Sequence, residues 1–368
     1  MNKYLRAVGF TQLPQRSEIQ NIIEEGLKSP DDRAYTVDEE NEDVLLGQFG
    51  IILNTRKEAA GAGSNARGVN CAADMSETDE KAISLVHQLF ETERKTDSTG
   101  NHETETQRRN RHQIGLAICG QFNDKDEFFP DYYYPYLDYD GVSSTEEISV
   151  EPRIDNDTYA GVCDDLRVGA ALIFRLRNTI EYRRNLHTSF LPLEHASVTL
   201  TALSLEGSVM LPIYKSADDI SRKKNTEIKR RRLLNAARSG DENAMQNLTE
   251  ADIATWTNIL AQIQVDDVYT LIESYFMPYG AECELYSVMG DIIEYETLTN
   301  RITGAEVCVM RIESNGLPLS IAINREDLVG EPQTGRRFKG IIWLQGKINF
   351  PLMQDLSHPE DRRNRNST

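Results

Sequence analysis

The sequence lacks the short motifs that identify several common enzyme classes. It has no phosphate-binding Walker loop, no G-x-G-x-x-G after a strand, no G-x-S-x-G nucleophile elbow and no cysteine cluster with zinc spacing. Each of these patterns carries the phosphate-binding, nucleophilic or metal-binding groups of its class. Their absence argues against a nucleotide hydrolase, a dehydrogenase and a serine hydrolase, and no cofactor is predicted.

Cysteine is scarce and dispersed. The five residues, Cys71, Cys119, Cys163, Cys283 and Cys308, lie far apart and form no C-x-x-C pair. An odd and scattered set argues against a disulfide framework and against a zinc knuckle. We therefore expect reduced cysteines that pack as small core residues.

Long apolar runs and excess positive charge are also missing. No stretch approaches the roughly 20 apolar residues that span a bilayer, and the N-terminal MNKYLRAVGF lacks the apolar centre of a secretory signal. The 59 acidic and 40 basic residues give a net charge of -19, which repels nucleic-acid phosphates and anionic membranes. We predict a cytoplasmic protein without membrane association, in which any nucleic-acid contact requires a local basic patch.

The length of 368 residues exceeds what one hydrophobic core usually contains, so two or three domains are expected. The predicted fold class is α+β. A mixed N-terminal domain spans 1–215, a helical segment spans 216–276, and a small C-terminal antiparallel β barrel or sandwich spans 277–352, before a disordered tail over 353–368. The stretch 56–112 has a single aromatic residue and is predicted to be a mobile insertion.

Local patterns predict several elements. A capping-box spacing at Ser17 and an apolar stripe predict a helix over 17–28. The apolar run 114–122 predicts a buried strand. The run 197–213 predicts a hairpin that turns at Glu206-Gly207.

The C-terminal part is predicted to contain four or five strands. Asn315-Gly316 is a tight-turn pair between two apolar runs. In the run GRRFKGIIWLQG, Gly340 and Gly346 suit the bends and close approaches of a barrel corner. Closing the barrel is therefore the default role of this last strand.

Basic residues suggest two alternative binding roles. Arg230, Arg231 and Arg232 lie in the helical segment, where they can pair with acidic protein surfaces or with phosphates. If the C-terminal barrel is of the oligonucleotide-binding type, the last strand supplies phosphate contacts and a stacking ring, from Arg336, Arg337, Lys339 and Trp343.

An acidic, tyrosine-rich region is the most unusual local chemistry. Asp138 and Asp140 carry hard oxygen ligands that suit calcium or magnesium, but the EF-hand spacing is missing and solvated loop acids are the more common explanation. Tyr133 and Tyr136 belong to a tyrosine run that can form a stacking face for a peptide or sugar, or pack in a core.

An acid pair, Asp164 and Asp165, precedes another predicted strand. Two neighbouring carboxyl groups can perform acid–base catalysis when their environments separate their pKa values. Capping of a turn by either aspartate explains the same residues without catalysis. Capping is the simpler explanation, and catalysis by this pair is the alternative.

Several long phrases resemble a bacterial family known as a domain of unknown function, found mostly in anaerobic Gram-positive bacteria. They are KYLRAVGF at 3–10, YAGVCDDLRVGAALIFRLRN at 159–178, YFMPYGAECELYSVMGDI at 275–292 and GRRFKGIIWLQG at 335–346. The stretch 56–110 has no counterpart in this resemblance. The resemblance implies a bacterial source and a cytoplasmic setting, and it implies no activity.

The leading hypothesis is a non-enzymatic binding or scaffold protein that acts through contacts with a protein partner or through self-association. It rests on the missing enzyme motifs and on basic helices within an acidic chain. The first alternative is a nucleic-acid-associated protein that uses those helices and the C-terminal barrel. The second is a metal-dependent enzyme that uses the acidic, tyrosine-rich region.

Overall fold

A computed structural model describes much of the chain outside 55–111. The described residues are 2–12, 14–38, 44–54, 112–123, 125, 127–153, 158–187, 193, 196–212, 229, 232, 233, 236, 241, 243, 245–247 and 272–351. The chain divides into two compact units, Met1–Thr55 with His112–Thr368 and Arg56–Arg111. The second unit, and with it the predicted mobile insertion apart from His112, lies outside the described residues.

The described elements are mostly strands. Four of them form one sheet, β1 (Asp32–Val37), β2 (Leu45–Ile52), β3 (Gln113–Phe122) and β4 (Phe128–Asp138). The larger sheet contains β5 (Ile148–Pro152), β6 (Tyr159–Cys163), β7 (Leu172–Leu176), β8 (Ser197–Met210), β9 (Tyr275–Pro278), β10 (Leu285–Thr299), β11 (Glu306–Ser314), β12 (Leu317–Asn324), β13 (Leu328–Val329) and β14 (Arg337–Asn349). The helices are α1 (Arg16–Lys28), α2 (Thr179–His187) and two 3₁₀ helices, Asn2–Val8 and Arg325–Asp327.

The predicted α+β fold class with a central helical segment is wrong. Strands account for 53% of the described residues and helices for 18%. The helical segment predicted over 216–276 lies largely outside the described residues, and its last positions, Tyr275 and Phe276, belong to β9. No described helix is long and apolar enough to cross a membrane.

Five strands of the larger sheet close into a ring. β14 pairs with β8 and β10, β11 pairs with β10 and β12, and β12 pairs with β8. We call this ring the barrel; β7, β6 and β5 extend the sheet beyond it. The predicted small antiparallel C-terminal barrel is wrong in two respects, because β8 comes from the first 215 residues and because β8 and β12 run parallel.

β8 is one continuous strand and not the predicted hairpin at Glu206-Gly207. It pairs with β14 along its whole length, from Ser197↔Asn349 to Met210↔Arg337. A Cβ at Gly207 would lie 2.5 Å from the Phe338 ring, and one at Gly340 would lie 2.6 Å from it. These glycines therefore make room for a buried aromatic ring, which is a packing role that a turn-based interpretation misses.

The four-stranded sheet packs on the outer wall of the barrel. The apolar layer between them contains Leu116 and Tyr134 from the sheet and Leu203, Val309 and Trp343 from the barrel. The 3₁₀ helix Asn2–Val8 and α1 join the same layer. The opposite faces of the barrel strands fill the barrel interior with apolar side chains, as strand alternation requires.

Candidate functional site

A shallow groove crosses the outer wall of the barrel, and we call it the wall groove. Its volume is about 330 Å³. Three barrel strands and the segment after β9 supply its lining, which mixes small, charged and aromatic residues: Glu206, Gly207, Ser208, Tyr279, Ser287, Lys339, Gly340 and Ile341. A β-bulge between Ile341 and Ile342 interrupts the β8–β14 register at its floor. Of the sequence-predicted residues, Lys339 lines this groove.

Exposed apolar side chains flank the wall groove. Met277 is 52% exposed and pairs with Ser287, and Val329 is 71% exposed and pairs with Ser208. Tyr279, which lines the groove, is 47% exposed. Methionine and tyrosine are enriched at protein interfaces, and grouped exposed apolar residues mark surfaces that bind other molecules. The groove and its flanks therefore have the chemistry of a polypeptide-binding surface.

A second feature is a polar row across the outer barrel wall, which is buried except for the half-buried Arg311. In register, Arg311 lies opposite Ser320, Ser320 opposite Thr201, Thr201 opposite Gln345, and Gln345 opposite Arg175. Directly opposed side chains in neighbouring strands point to the same face and lie within contact distance. This polar row therefore lies in the otherwise apolar layer that faces the four-stranded sheet.

Gln345 joins the two sheets. Its Nε2 donates to the carbonyl of Pro135 at 2.9 Å, and its Oε1 accepts from the amide of Leu137 at 3.4 Å. Gln345 is fully buried. Because β4 is an edge strand, this side chain pairs backbone groups that the ladder leaves unpaired.

His112 links Ser320 of the polar row to Glu296 in a serine–histidine–glutamate chain. Its Nε2 lies 2.8 Å from Ser320 Oγ, and its Nδ1 lies 2.5 Å from Glu296 Oε1. The ring stacks on Tyr139 at 4.5 Å. In a catalytic triad the serine faces the substrate and the acid is buried. Here the Ser320 residue is 0% exposed while the Glu296 side chain is 40% exposed, so the chain ties β10, β12 and β3 together.

Arg175 in β7 and Arg177 just after that strand face the tyrosines of β4. Arg177 donates from Nη1 to Asp138 Oδ1 and to the Leu137 carbonyl, each at 2.8 Å, and its guanidinium lies 4.7 Å from the Tyr136 ring. Burial alone would raise the pKa of Asp138, but the charges of Arg177 and Lys347 hold that pKa below its ordinary value. Asp138 is therefore half of a structural ion pair.

Arg175 lies two residues earlier on the same face. Its guanidinium is 4.3 Å from the Tyr134 ring and 5.6 Å from the Tyr132 ring. The residue is 4% exposed, and its Nε has no hydrogen-bond partner among the described residues. No ion pair joins Arg175 to a carboxylate in the described part of the chain.

The predicted metal ligands do not come together. Asp138 is paired with Arg177, while Asp140 is exposed on the loop after β4. Among the described residues, no group of three or more histidine, cysteine, aspartate or glutamate side chains is placed to hold a metal ion. The four described cysteines are free.

The two aspartates of the predicted acid pair lie in different environments. Asp164 is exposed, and Asp165 is 2% exposed. Asp165 accepts from Ser144 Oγ at 2.5 Å and from Arg167 Nε at 2.9 Å. Burial alone would raise the pKa of Asp165, but these hydrogen bonds lower it. Asp165 thus fixes the turn at Arg167.

The residues predicted to contact nucleic acid are dispersed, and two of them are buried. Trp343 is 3% exposed, stacks on Tyr4 at 4.7 Å and donates to Glu284 Oε2 at 2.8 Å, so its faces are unavailable to a base. Arg337 is 4% exposed and donates to the carbonyls of Leu211 and Ile272. Arg336 is half-buried and donates to the Glu331 carbonyl.

The remaining predicted binding residues lie elsewhere. Arg232 is exposed and helical, whereas Arg230 and Arg231 lie outside the described residues. Tyr133 is half-buried against the apolar layer, and Tyr136 is 7% exposed. Tyr136 therefore packs in the core and under Arg177, which was the alternative to a stacking face.

The chain matches the family model of a domain of unknown function, described for an E. rectale gene and designated DUF3881, over residues 68–346. The chain belongs to this family. The predicted resemblance is confirmed, and the DUF3881 match also covers most of the stretch 56–110 that the resemblance left without a counterpart. No curated protein and no solved structure shows significant similarity to the chain.

Sequence reasoning missed the polar layer of this DUF3881 chain. His112 was predicted to be the end of a mobile insertion, and Ser320, Thr201 and Gln345 each lie within an apolar stretch of a strand. The available signal was a polar residue within the apolar stretch of each of three strands. It becomes informative only when the pairing of β8, β12 and β14 is known.

Proposed function

We propose that this protein binds another polypeptide in an extended conformation along the wall groove. The observation that carries this proposal is the set of exposed apolar side chains at the groove, Met277, Tyr279 and Val329. A shallow lining with both polar and apolar groups suits an extended chain better than a deeply enclosed small molecule. Binding through protein contacts is also the leading hypothesis from the sequence.

The partner that fits this surface has an apolar residue flanked by residues of both charges. Glu206 and Lys339 both line the groove, so its lining contains side chains of both charges. Charged groups of this kind select partners and orient them, while the apolar contacts supply most of the affinity.

The test uses a phage-displayed library of random peptides, selected on the full-length protein. We expect enriched peptides whose affinity falls about tenfold or more for Met277→Asp, because the substitution places a charge at an apolar contact. The matched control is Val142→Asp, at a residue that is 50% exposed and outside the groove lining. This control should bind the peptides as the wild type does.

Self-association is a separate outcome. Sedimentation velocity of the wild type and of Met277→Asp distinguishes it: a dimer that dissociates in the variant makes a second copy the partner. Failure to enrich any peptide, together with a monomer at all concentrations, contradicts the proposal. So does enrichment of peptides that bind Met277→Asp and the wild type equally.

The two alternatives receive less support. Nucleic-acid association rested on a stacking ring and on free cations, but Trp343 and Arg337 are buried. Metal-dependent catalysis rested on convergent carboxylates, and within the described ranges no such group is present.

A further inference from the structure

Arg175 is a buried cation that lacks a protein counter-charge in the described part of the chain. It is 4% exposed and its Nε has no hydrogen-bond partner there. Its neighbours are the rings of Tyr134 and Tyr132, and Arg175 also forms a side-chain hydrogen bond with Tyr134. Burying a charge is costly unless a partner of opposite charge and hydrogen bonds compensate for it. Ring faces compensate only in part.

Arg177 shows what a compensated arginine looks like at this surface. It lies two residues further along the chain, on the same face, and also packs on a tyrosine of β4. It differs in having a carboxylate, Asp138, at 2.8 Å and a backbone carbonyl, of Leu137, also at 2.8 Å. Compared with Arg177, Arg175 therefore lacks an anionic oxygen within hydrogen-bond distance among the described residues.

Three titratable neighbours of Arg175, namely Cys119, Tyr132 and Tyr134, do not supply that negative charge at neutral pH. Asp131, whose charge acts on Cys119, forms no ion pair with Arg175 in the described part of the chain. Burial raises the pKa of the Cys119 thiol to about 11 and that of Tyr134 to about 12. Burial also raises the pKa of Tyr132, whose hydroxyl is hydrogen-bonded to Cys119. All three groups therefore stay neutral. The Tyr134 hydroxyl donates a hydrogen bond to the Arg177 carbonyl at 3.2 Å.

We propose that Arg175 binds the oxyanion of a small molecule, a carboxylate or a phosphate, between Tyr132 and the end of β7. A guanidinium presents Nε–H and a terminal N–H in parallel, which matches two oxygens of either group. Tyr132 is half-buried and follows the exposed Asp131, so the site lies close to the surface. One cation and two rings suit a small anion, since a polynucleotide needs several cations in a row.

The test measures thermal unfolding of the full-length protein while sodium phosphate or sodium acetate replaces sodium chloride at constant ionic strength. The variants are Arg175→Met and, as a control for a half-buried arginine elsewhere, Arg336→Met. Phosphate stabilises most proteins through exclusion from the surface, so the difference between proteins is the informative quantity. At a saturating concentration of the bound anion, we expect the unfolding temperature of the wild type and of Arg336→Met to rise by about 5 °C more than that of Arg175→Met.

The response to the two anions identifies the ligand chemistry. Saturable stabilisation by phosphate alone indicates a phosphate ligand, and stabilisation by acetate alone indicates a carboxylate ligand. In chloride, Arg175→Met should unfold at or above the wild-type temperature, because the substitution removes an uncompensated charge. Equal anion responses in the wild type and Arg175→Met overturn the proposal.

A second measurement covers the case in which Arg175→Met does not fold. In wild-type protein labelled with ¹⁵N at arginine, the Nε–H resonance of Arg175 should shift saturably with the same anion. Arg175→Lys keeps the charge without the parallel N–H pair and should weaken binding about tenfold. A resonance that neither anion shifts, as expected for an Nε–H bonded only to water, also overturns the proposal.

Discussion

The barrel interior and the layer between the barrel and the four-stranded sheet are built from opposite faces of the same strands. The interior contains apolar side chains, among them Val288, Ile321 and Phe338. The layer mixes apolar residues with the polar row that includes Gln345 and Ser320. Apolar packing drives burial without specifying partners, whereas each buried hydrogen bond requires one particular partner. The interior thus provides stability, and the layer determines how the two sheets align.

The largest expected effect comes from the interior. Phe338→Ala removes a fully buried ring that fills the space above Gly207 and Gly340, and we expect a loss of about 3–5 kcal/mol in the free energy of unfolding. Urea denaturation of the two proteins measures it. The exposed Phe129, replaced by alanine, should change stability by less than about 0.5 kcal/mol. A loss no larger than that of Phe129→Ala would contradict the assignment of the interior as the main source of stability.

A smaller effect is expected in the layer. Gln345→Leu keeps a similar volume but leaves the Pro135 carbonyl and the Leu137 amide without their side-chain partner, at a cost of about 2 kcal/mol. The control is Gln121→Leu, at an exposed position of β3. Hydrogen exchange should increase at Leu137 in Gln345→Leu alone. Unchanged protection there would show that this side chain does not align the sheets.

The third effect depends on pH. The pKa of Asp138 is lower in the folded protein than in the unfolded chain, so its ion pair contributes stability that is present above about pH 4 and is lost as the pH falls through the folded pKa. Between pH 7 and pH 3, we expect the free energy of unfolding to fall by about 1 kcal/mol less in Asp138→Asn than in the wild type. Urea denaturation at each pH measures this. Asp140→Asn, which removes an exposed carboxylate two residues away, is the control. An equal change in both variants would contradict the role of the Asp138–Arg177 pair.

The smallest effect is expected at Thr201, a member of the polar row whose hydroxyl forms no hydrogen bond among the described residues. Thr201 is fully buried, and within the described residues its Oγ1 has no partner. Thr201→Val should therefore leave stability unchanged or raise it by up to about 1 kcal/mol. Ser320→Ala, which removes the partner of His112 Nε2, should instead destabilise the protein. Equal losses in both variants would indicate that Thr201 is hydrogen-bonded in solution.

Local features of the fold were predictable from the sequence. The helix expected over 17–28 corresponds to α1, and the run 114–122 corresponds to β3. The turn at Asn315-Gly316 joins β11 and β12, with positive φ angles of 52° and 78° at its two residues. Such features depend on neighbours within a few residues, which the sequence presents directly.

The pairing of distant strands was not predictable in this way. The glycine at 207 suggested a turn because a turn is the commonest local use of glycine, but its role is to accommodate Phe338, more than a hundred residues away. The same limit applies to the candidate sites. Lys339 was found from its charge, whereas the register that brings Met277 and Val329 beside it depends on β9, β13 and β8.

The position of β8 in the chain has a consequence for synthesis. Both of its barrel neighbours, β12 and β14, come after a long intervening stretch, since β8 ends at Met210 and β12 begins at Leu317. While the ribosome makes that stretch, both edges of β8 lack their barrel partners, so backbone N–H and C=O groups are unpaired, the condition in which nascent strands attract chaperones or self-associate. The barrel closes only after its last strand has emerged from the ribosomal exit tunnel.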